Sequence, residues 1–435
     1  MYGIVWPRVP AASPTAIPVI AAELERTQWF SADELASAQR AQLASLLVHA
    51  AASVPHYRQI DPSDVASVPI LTRTGITAAG DTLLSRTYPS THGAASAIET
   101  SRTSGAPVRL RGTGVVAAMH GAMTLRDHAW HRRDVHAHLA SIRYMGGAPD
   151  ADPPDGQHLR GWGAATEHLA PEAPLSLLSI ATTTDQQLAW LVRTNPTYLL
   201  VYPSVLDALL RAIKRTAAVV PALRQIRTLS EVLTPETRAL CREVLGVPIV
   251  DTYSAQEVGY MALQCPDRED CYHVQSEHVL VEVLRDDGTP CSPGEIGRVI
   301  VTDLHNFATP ILRYEIGDYA EVAAPCSCGR ALPALARIVG RRRNMLVYPD
   351  GTTTWPLFSV ACREAARYEH LQLLQPSPDM LVARVLPDGN VSVDSAALTE
   401  AIHRSLGEMF SVDVQIVSEI SRTPAGKLDE FISSV

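Results

Sequence analysis

The stretch VDTYSAQEVGYMALQC, residues 250–265, follows directly on the apolar run VPIV at 247–250. It reads as a buried strand, residues 247–250, that ends in a polar turn carrying Tyr253, Gln256 and Glu257 and closed by Gly259. An aromatic face, an amide and a carboxylate at the end of a strand suit a nucleotide and its metal ion, because ligands of α/β sheets bind outside the carboxyl ends of the strands. On its own, the same pattern also describes an ordinary surface turn.

Upstream, the chain alternates in short units: YLLVYP (198–203), SVLDALLRAIKR (204–215), IRTLS (226–230), TPETRALCREVLG (234–246), then VPIV. Strand, helix, strand, helix, strand in so few residues predicts a parallel sheet. Beyond Cys265 the character changes. HVLVEVL (278–284), the turn DDG and GRVIVTDL (297–304) predict antiparallel strands and a β-rich subdomain near 265–330. After GRRR (340–343) comes a pattern of helix (358–366), a strand pair joined by PDG (387–389), helix (395–406) and strand (412–417). Toward the N-terminus, Ser31 with Glu34 three positions on is a capping-box pattern that opens a helix through Tyr57. Residues 115–142 predict a further helix, and the Pro, Gly and Asp of 146–156 an exposed loop.

The chain has 435 residues, too many for one core, and 46% of them are apolar. Its 37 basic and 46 acidic side chains give a net charge of −9, which argues against nucleic acid as a partner. No stretch approaches the ~20 apolar residues of a membrane span, and the N-terminus lacks a charged segment before an apolar core, so the expectation is a cytoplasmic protein without membrane contact. Seven cysteines, an odd number in a long chain, favour metal binding or plain burial over a disulfide framework. Cys265 and Cys271 flank PDRED, and Cys326 and Cys328 flank one serine; two such pairs could complete a tetrahedral zinc site, with His273 as a spare ligand.

Four more stretches occur around YSAQEVG in a fixed order: TSRTSGAP (100–107), SEVL (230–233), ILRYEIGD (311–318) and IVGRRRNML (338–346), with SRTPAGKLDE (421–430) near the C-terminus. In order and relative spacing they resemble the phenylacetate–CoA ligase-like family of the adenylate-forming superfamily, over most of the chain. The resemblance implies an α/β fold. A large N-terminal AMP-binding domain (1–339) of parallel sheets plus the β-rich subdomain would be followed by a small mobile α+β domain (340–435).

It also implies roles. Ser101, Thr103 and Ser104 would form the phosphate loop, in which Arg102 and Ala106 replace the family's Gly and Lys. Ser230, Glu231 and Val232 would wall the adenine pocket, and Tyr253 would stack on adenine. Gln256 would bond the α-phosphate, Glu257 hold Mg2+, and Asp318 and Arg341 fix the ribose. Lys427 would bridge carboxylate and phosphate oxygens. At the hinge, Arg343 and Asn344 stand where acidic residues are usual. Some relatives carry a structural zinc at the position of the cysteine pairs.

The expected reaction is ATP- and Mg2+-dependent adenylation of a carboxylic acid, aryl or arylalkanoic, followed by transfer to the thiol of coenzyme A. Two alternatives stand beside it. One is an adenylating ligase with another acceptor: a carrier-protein thiol, an amine or a small nucleophile such as nitrite. The other is a non-catalytic nucleotide-binding relative, and a homodimer is possible in either case. Segment 123–136 with Trp130, and the turn 201–204 with Tyr202, are where the family builds its acyl pocket, and aromatic walls suit an aryl acid.

Overall fold

The computed structural model of the chain describes residues 3–13, 15–99, 109–146, 148–389, 391–423 and 426–435. The residues of the expected phosphate loop, Ser101, Thr103 and Ser104 with Arg102 and Ala106, lie outside them. On either side of that loop, strands Ala95–Glu99 and Arg109–Thr113 pair antiparallel.

The predicted strand–helix alternation is present. Strands Leu139–Arg143, Pro174–Ser179, Tyr198–Val201, Gln225–Leu229 and Ile249–Ala255 are parallel neighbours in one sheet. Helix Pro203–Thr216 begins with proline at its first turn, where a missing N–H costs nothing, and helix Pro235–Val244 does the same behind a Thr234 cap. The former buries Val205, Leu206, Leu209, Leu210 and Ile213 against the sheet. The antiparallel strands expected after Cys265 extend this sheet rather than forming one of their own: Gly259–Gln264 turns back along Ile249–Ala255, and the order continues to Val279–Leu284 at the far edge of twelve strands.

Several local readings are corrected. The strand of the opening stretch is longer than 247–250 and runs through Ala255, so Tyr253 is a strand residue and the turn is 256–258. The helix begun at residue 114 stops at Trp130, because Arg132 has a φ of 50° and residues 139–143 have gone over to the sheet. Helix Ala32–Ser53 has the expected capping box, Ser31 accepting from Glu34 N and Glu34 from Ser31 N.

The C-terminal residues form a separate four-stranded sheet, ordered Ser411–Ile416, Met380–Pro387, Tyr368–Ser377, Phe431–Ser433, with its own core around Leu373, Leu381, Ile402 and Phe431. Its hairpin turns between Ser377 and Met380, where Ser377 Oγ bonds Asp379; PDG at 387–389 instead ends the second strand. The last strand returns parallel to Tyr368–Ser377, and before it Gly426 and Leu428 meet residues that follow the carboxyl ends of the parallel strands: Tyr144, Ile180, Tyr202 and Glu231.

One buried ion pair welds the N-terminal helices to the antiparallel strands. Arg126 Nη2 lies 2.7 Å from Glu277 Oε1, with side-chain exposures of 2% and 0%, and also donates to Leu24 O, while Thr27 Oγ1 donates to the same carboxylate. Removing one member of such a pair leaves a bare charge in the core. Arg126→Met should lower unfolding stability by about 3–5 kcal/mol, and Arg126→Met with Glu277→Leu by less than Arg126→Met alone; urea unfolding measures both.

Candidate functional site

Strand Ile249–Ala255 brings Tyr253 to the carboxyl end of the parallel sheet. There its hydroxyl donates to Asp318 Oδ2 at 2.9 Å. Asp318 lies in strand Tyr314–Val322, directly opposite Arg341 in the antiparallel ladder, and Arg341 Nε reaches Asp318 Oδ1 at 3.3 Å. Both oxygens of one carboxylate are thus held in place, and each keeps lone-pair capacity for a further donor. Burial and the Asp318 charge push the Tyr253 phenol well up, so it remains a neutral donor.

Glu257 sits in the turn after the strand, with 9% of its surface exposed and Arg73 Nη1 3.6 Å from its carboxylate. Arg73 begins a short helix capped by Thr72, and Leu71 is hydrogen-bonded to Arg313 and Glu315 beside the Asp318 strand. The composition and spacing of residues 68–76 gave no sign of this role. Gln256 is exposed in the same turn. Gly259 closes it at φ +75°, and a Cβ there would come within 2.2 Å of His120 Nε2.

Lys427 enters this cluster from the other sheet. Burial lowers the pKa of its ammonium and Arg341 lowers it further, while the charges of Asp318, Glu231 and Glu257 oppose them. A tight turn aims it: Gly426 N donates to Thr423 O at 2.7 Å, Lys427 N to Thr423 Oγ1 at 3.1 Å, and Thr423 N to Lys427 O at 2.8 Å. Gly426 has a φ of +78° and a Cβ on it would stand 3.1–3.4 Å from Ile180, Tyr144 and Tyr202, so the turn presses on the sheet as only glycine allows. Of the 37 basic residues only Lys214 and Lys427 are lysines, so the use of a compact ammonium here is selective.

Glu231 anchors the lysine segment. Its carboxylate accepts from Ser204 N at 2.9 Å and Leu428 N at 2.7 Å, with Arg422 Nη1 at 3.8 Å. Burial raises its pKa against the pull of Arg422. Ser230 takes the left-handed backbone, φ 74°, that turns the chain into this arrangement, and Val232, 42% exposed, faces Gly340. Arg343, at the hinge position, donates to Asp429 Oδ2 at 2.7 Å. Tyr202 lies beside the Gly426 turn, whereas Trp130, expected near an acyl pocket, is core: it packs with Trp6, Leu35, Leu263 and Leu332, and its indole N–H donates to Gln28.

The second cluster lies at the edge of strand Tyr272–Val274. One ligand atom each of Cys265, His273, Cys326 and Cys328 lies within 4.8 Å of the others. His273 therefore takes the place expected of Cys271 in this four-membered set, while the Cys271 thiol lies beside Cys326. Cys265 Sγ and Cys326 Sγ are 3.8 Å apart, close to the ~3.8 Å edge of a tetrahedron with zinc–sulfur bonds of ~2.3 Å. His273 Nε2 faces Cys328 Sγ at 3.2 Å while Nδ1 lies 3.4 Å from Leu332 O, so the ring is turned by a backbone carbonyl with its other nitrogen toward the thiols, as metal-bound imidazoles are. Burial pushes the Cys265 and Cys271 thiols up to about 12; burial acts on Cys326 too, but hydrogen bonds from Cys328, Cys265 and Cys271 bring it down. All seven cysteines are free thiols. Among the described residues no helix is long and apolar enough to cross a membrane.

No protein-family profile matches the chain. Phenylacetate-coenzyme A ligase of Thermus thermophilus is 27% identical over 225 residues, 45% of this chain and 51% of that protein, so the match spans about half the length of this relative. The phenylacetate-coenzyme A ligase of Aromatoleum evansii is 26% identical over 346 residues, 75% of this chain and 74% of that one. Among solved structures, 2-hydroxyisobutyryl-CoA ligase in its postadenylation state with 2-HIB-AMP superposes with a TM-score of 0.71 at 18% identity, over 99% of this chain and 94% of that one. The same ligase in its thioesterification state, with CoA, gives 0.59 over 98% and 94%. The chain is thus a relative of the phenylacetate–CoA ligases and has the fold of the adenylate-forming CoA ligases.

Proposed function

We propose that this chain is a Mg2+-dependent ligase that activates a carboxylic acid with ATP and passes the acyl group to the thiol of coenzyme A. The observation that carries this reading is the 2.7 Å bond from Leu428 N to Glu231, which seats the segment of Lys427 beside the turn 230–232, where its ammonium feels the charges of Asp318, Arg341 and Glu257. Residues 1–339 are read as the AMP-binding domain and 340–435 as a domain that moves between the two half-reactions. The better superposition on the postadenylation state supports reading the present arrangement as the adenylating one.

In the first step a carboxylate oxygen attacks the α-phosphorus of ATP and pyrophosphate leaves with the bonding pair. Asp318 is acceptor-only and suits two ribose hydroxyls; Tyr253 and Arg341 hold it at the required angle. Tyr253 also offers its ring to adenine, beside the turn 230–232. Lys427 offsets charge on the attacking carboxylate and the α-phosphate, and Gln256 bonds the latter. Mg2+ is commonly held by one or two carboxylates plus substrate phosphates, and Glu257, with Arg73 balancing it in the free protein, fits that need; the ion supplies charge neutralisation on the phosphates. In the second step the thiol sulfur attacks the acyl carbon and AMP departs.

The aryl or arylalkanoic acid is read from the phenylacetate ligases among its relatives and from Tyr202 beside the Lys427 turn. The departures from the family pattern at Arg102, Ala106, Gln256 and Arg343 support a second acceptor reading. ATP–pyrophosphate exchange over a panel of aryl and alkyl acids tests activation. A thioester formed on adding coenzyme A supports the first reading. An adenylate untouched by coenzyme A but consumed by an amine, nitrite or a carrier protein selects the second, and exchange with no acid at all would leave a non-catalytic nucleotide binder.

Lys427→Ala should slow adenylation by about 10^2–10^3-fold, the loss typical of a removed charge-stabilising group, yet transfer from presynthesised acyl-adenylate at near the parent rate. Equal losses in both steps would point to a folding defect or a fixed domain. The active form of Lys427 is the ammonium and its surroundings depress its pKa, so adenylation should fall with rising pH before the ordinary lysine value of 10.5 is reached. Lys427→Arg should move that fall to higher pH, and an unchanged alkaline limb would dissociate it from this residue.

The thiol cluster is proposed to bind one structural zinc through Cys265, His273, Cys326 and Cys328, with Cys271 adjoining. Four protein donors leave no open position for substrate. Thiol modification of protein purified without chelator should release one zinc equivalent and destabilise the antiparallel strands. Protein whose thiols react without releasing zinc would contradict the assignment.

A further inference from the structure

A second set of metal-type ligands lies deep in the antiparallel half of the sheet, away from the thiols. His278 immediately precedes strand Val279–Leu284, Asp303 ends strand Ile296–Asp303, and the two strands pair so that Val279 is opposite Asp303. One ligand atom each of His278, Asp303 and His305 lies within 4.8 Å of the others, and all three residues have 0% exposure. The two imidazoles stack at 6.0 Å with an interplanar angle of 13°.

The hydrogen bonds around the rings fix their tautomers. His278 Nε2 lies 2.7 Å from Val258 O and His305 Nε2 lies 3.2 Å from Trp6 O. A carbonyl only accepts, so each Nε2 carries the hydrogen and each neutral ring presents a bare lone pair at Nδ1. Neither Nδ1 has a hydrogen-bond partner, and neither does Asp303 Oδ2, although Oδ1 accepts from His305 N at 2.9 Å. Each ring thus keeps an unmet nitrogen acceptor and Asp303 an unmet oxygen, in a buried trio whose ligand atoms, one from each residue, lie within 4.8 Å of one another, with the His120 ring 5.3 Å from that of His278. Each unmet buried acceptor costs about 1–3 kcal/mol, and a water has only two hydrogens for three acceptors. A cation satisfies all three.

We infer that His278, Asp303 and His305 form a binding site for a structural divalent transition-metal ion of the zinc class, separate from the thiol cluster. Two imidazoles and a carboxylate are the donor types of such ions. The second shell is in place as well, since metal-bound histidines donate their other N–H to a carbonyl or carboxylate. Through Val258, the residue after Glu257, the ion would stiffen the turn carrying that carboxylate; through Trp6 it would fasten the N-terminal segment. Full burial means that it is acquired during folding.

The test is an anomalous difference map, recorded at the metal absorption edge, from crystals of the full chain produced with zinc, cobalt, iron and manganese in the medium. A peak between His278, Asp303 and His305, distinct from one at the thiols, is the expected result; a map without it overturns the inference, whatever variants show. In solution, protein carrying Cys326→Ser and Cys328→Ser should keep about one metal equivalent, and adding Asp303→Asn should remove it. Folded double-serine protein free of metal would also overturn the site.

Discussion

The arrangement of this molecule depends on one buried carboxylate. Glu231 spends one oxygen on the N-terminus of helix Pro203–Thr216, through Ser204 N, and the other on Leu428 N of the C-terminal segment, with Arg422 supplying compensating charge. Neither sheet alone gives it enough donors, and an ionised carboxylate left short of donors in the interior is strongly unfavourable. Docking of Arg422 and Leu428 therefore completes the solvation of Glu231, and the same segment carries Lys427, whose ammonium feels the charges of Asp318 and Glu257. The electrostatics of the site and the placement of the second sheet are one problem with one solution.

The site is also graded in rigidity. Asp318 lies in the large sheet, held on one oxygen by Tyr253 of that sheet and on the other by Arg341, the last residue of strand Ala334–Arg341 at the border of the proposed moving domain. Lys427 is held through the turn closed by Thr423 and through contacts to the larger part of the molecule: Arg422 to Ser204, Arg363 to Asp207, Arg215 to Asp388. These are polar contacts, several partly exposed, the kind that domains in relative motion exchange at modest cost. Such a division suits the proposed two-step ligase, which would keep its nucleotide while changing the group presented to it.

Much of this was legible in the sequence where a local rule was sufficient. The alternation from 198 to 250 shows its parallel sheet because strand and helix periods differ and each helix starts with Pro at its first turn. The Ser31–Glu34 box closes within one turn of helix. Where the decision was non-local, sequence failed. Cys271 and His273 are two apart beside a short strand, so strand periodicity puts them on the same face and spacing cannot choose between them; the approach of His273 to Cys328, with its other nitrogen on the Leu332 carbonyl, is a tertiary feature. Arg73 is far upstream of Glu257 and meets it only because Leu71 adds a bridge to the Tyr314 strand. SEVL was read as a wall of the adenine pocket, and nothing local in it announces that Glu231 also holds the far end of the chain. PDG was read as the turn of the C-terminal strand pair, yet the register of the pair puts the turn between Ser377 and Met380.

Hydrogen exchange at the Leu428 amide, read residue by residue in the unaltered chain and in Glu231→Ala, tests the central claim most directly. If Glu231 fastens the C-terminal segment, the Leu428 amide is protected well beyond its exposed neighbours in the unaltered chain, and that protection is lost in the variant while the strands around Asp318 keep theirs. A Leu428 amide that exchanges freely in the unaltered chain, or one equally protected without Glu231, would contradict it.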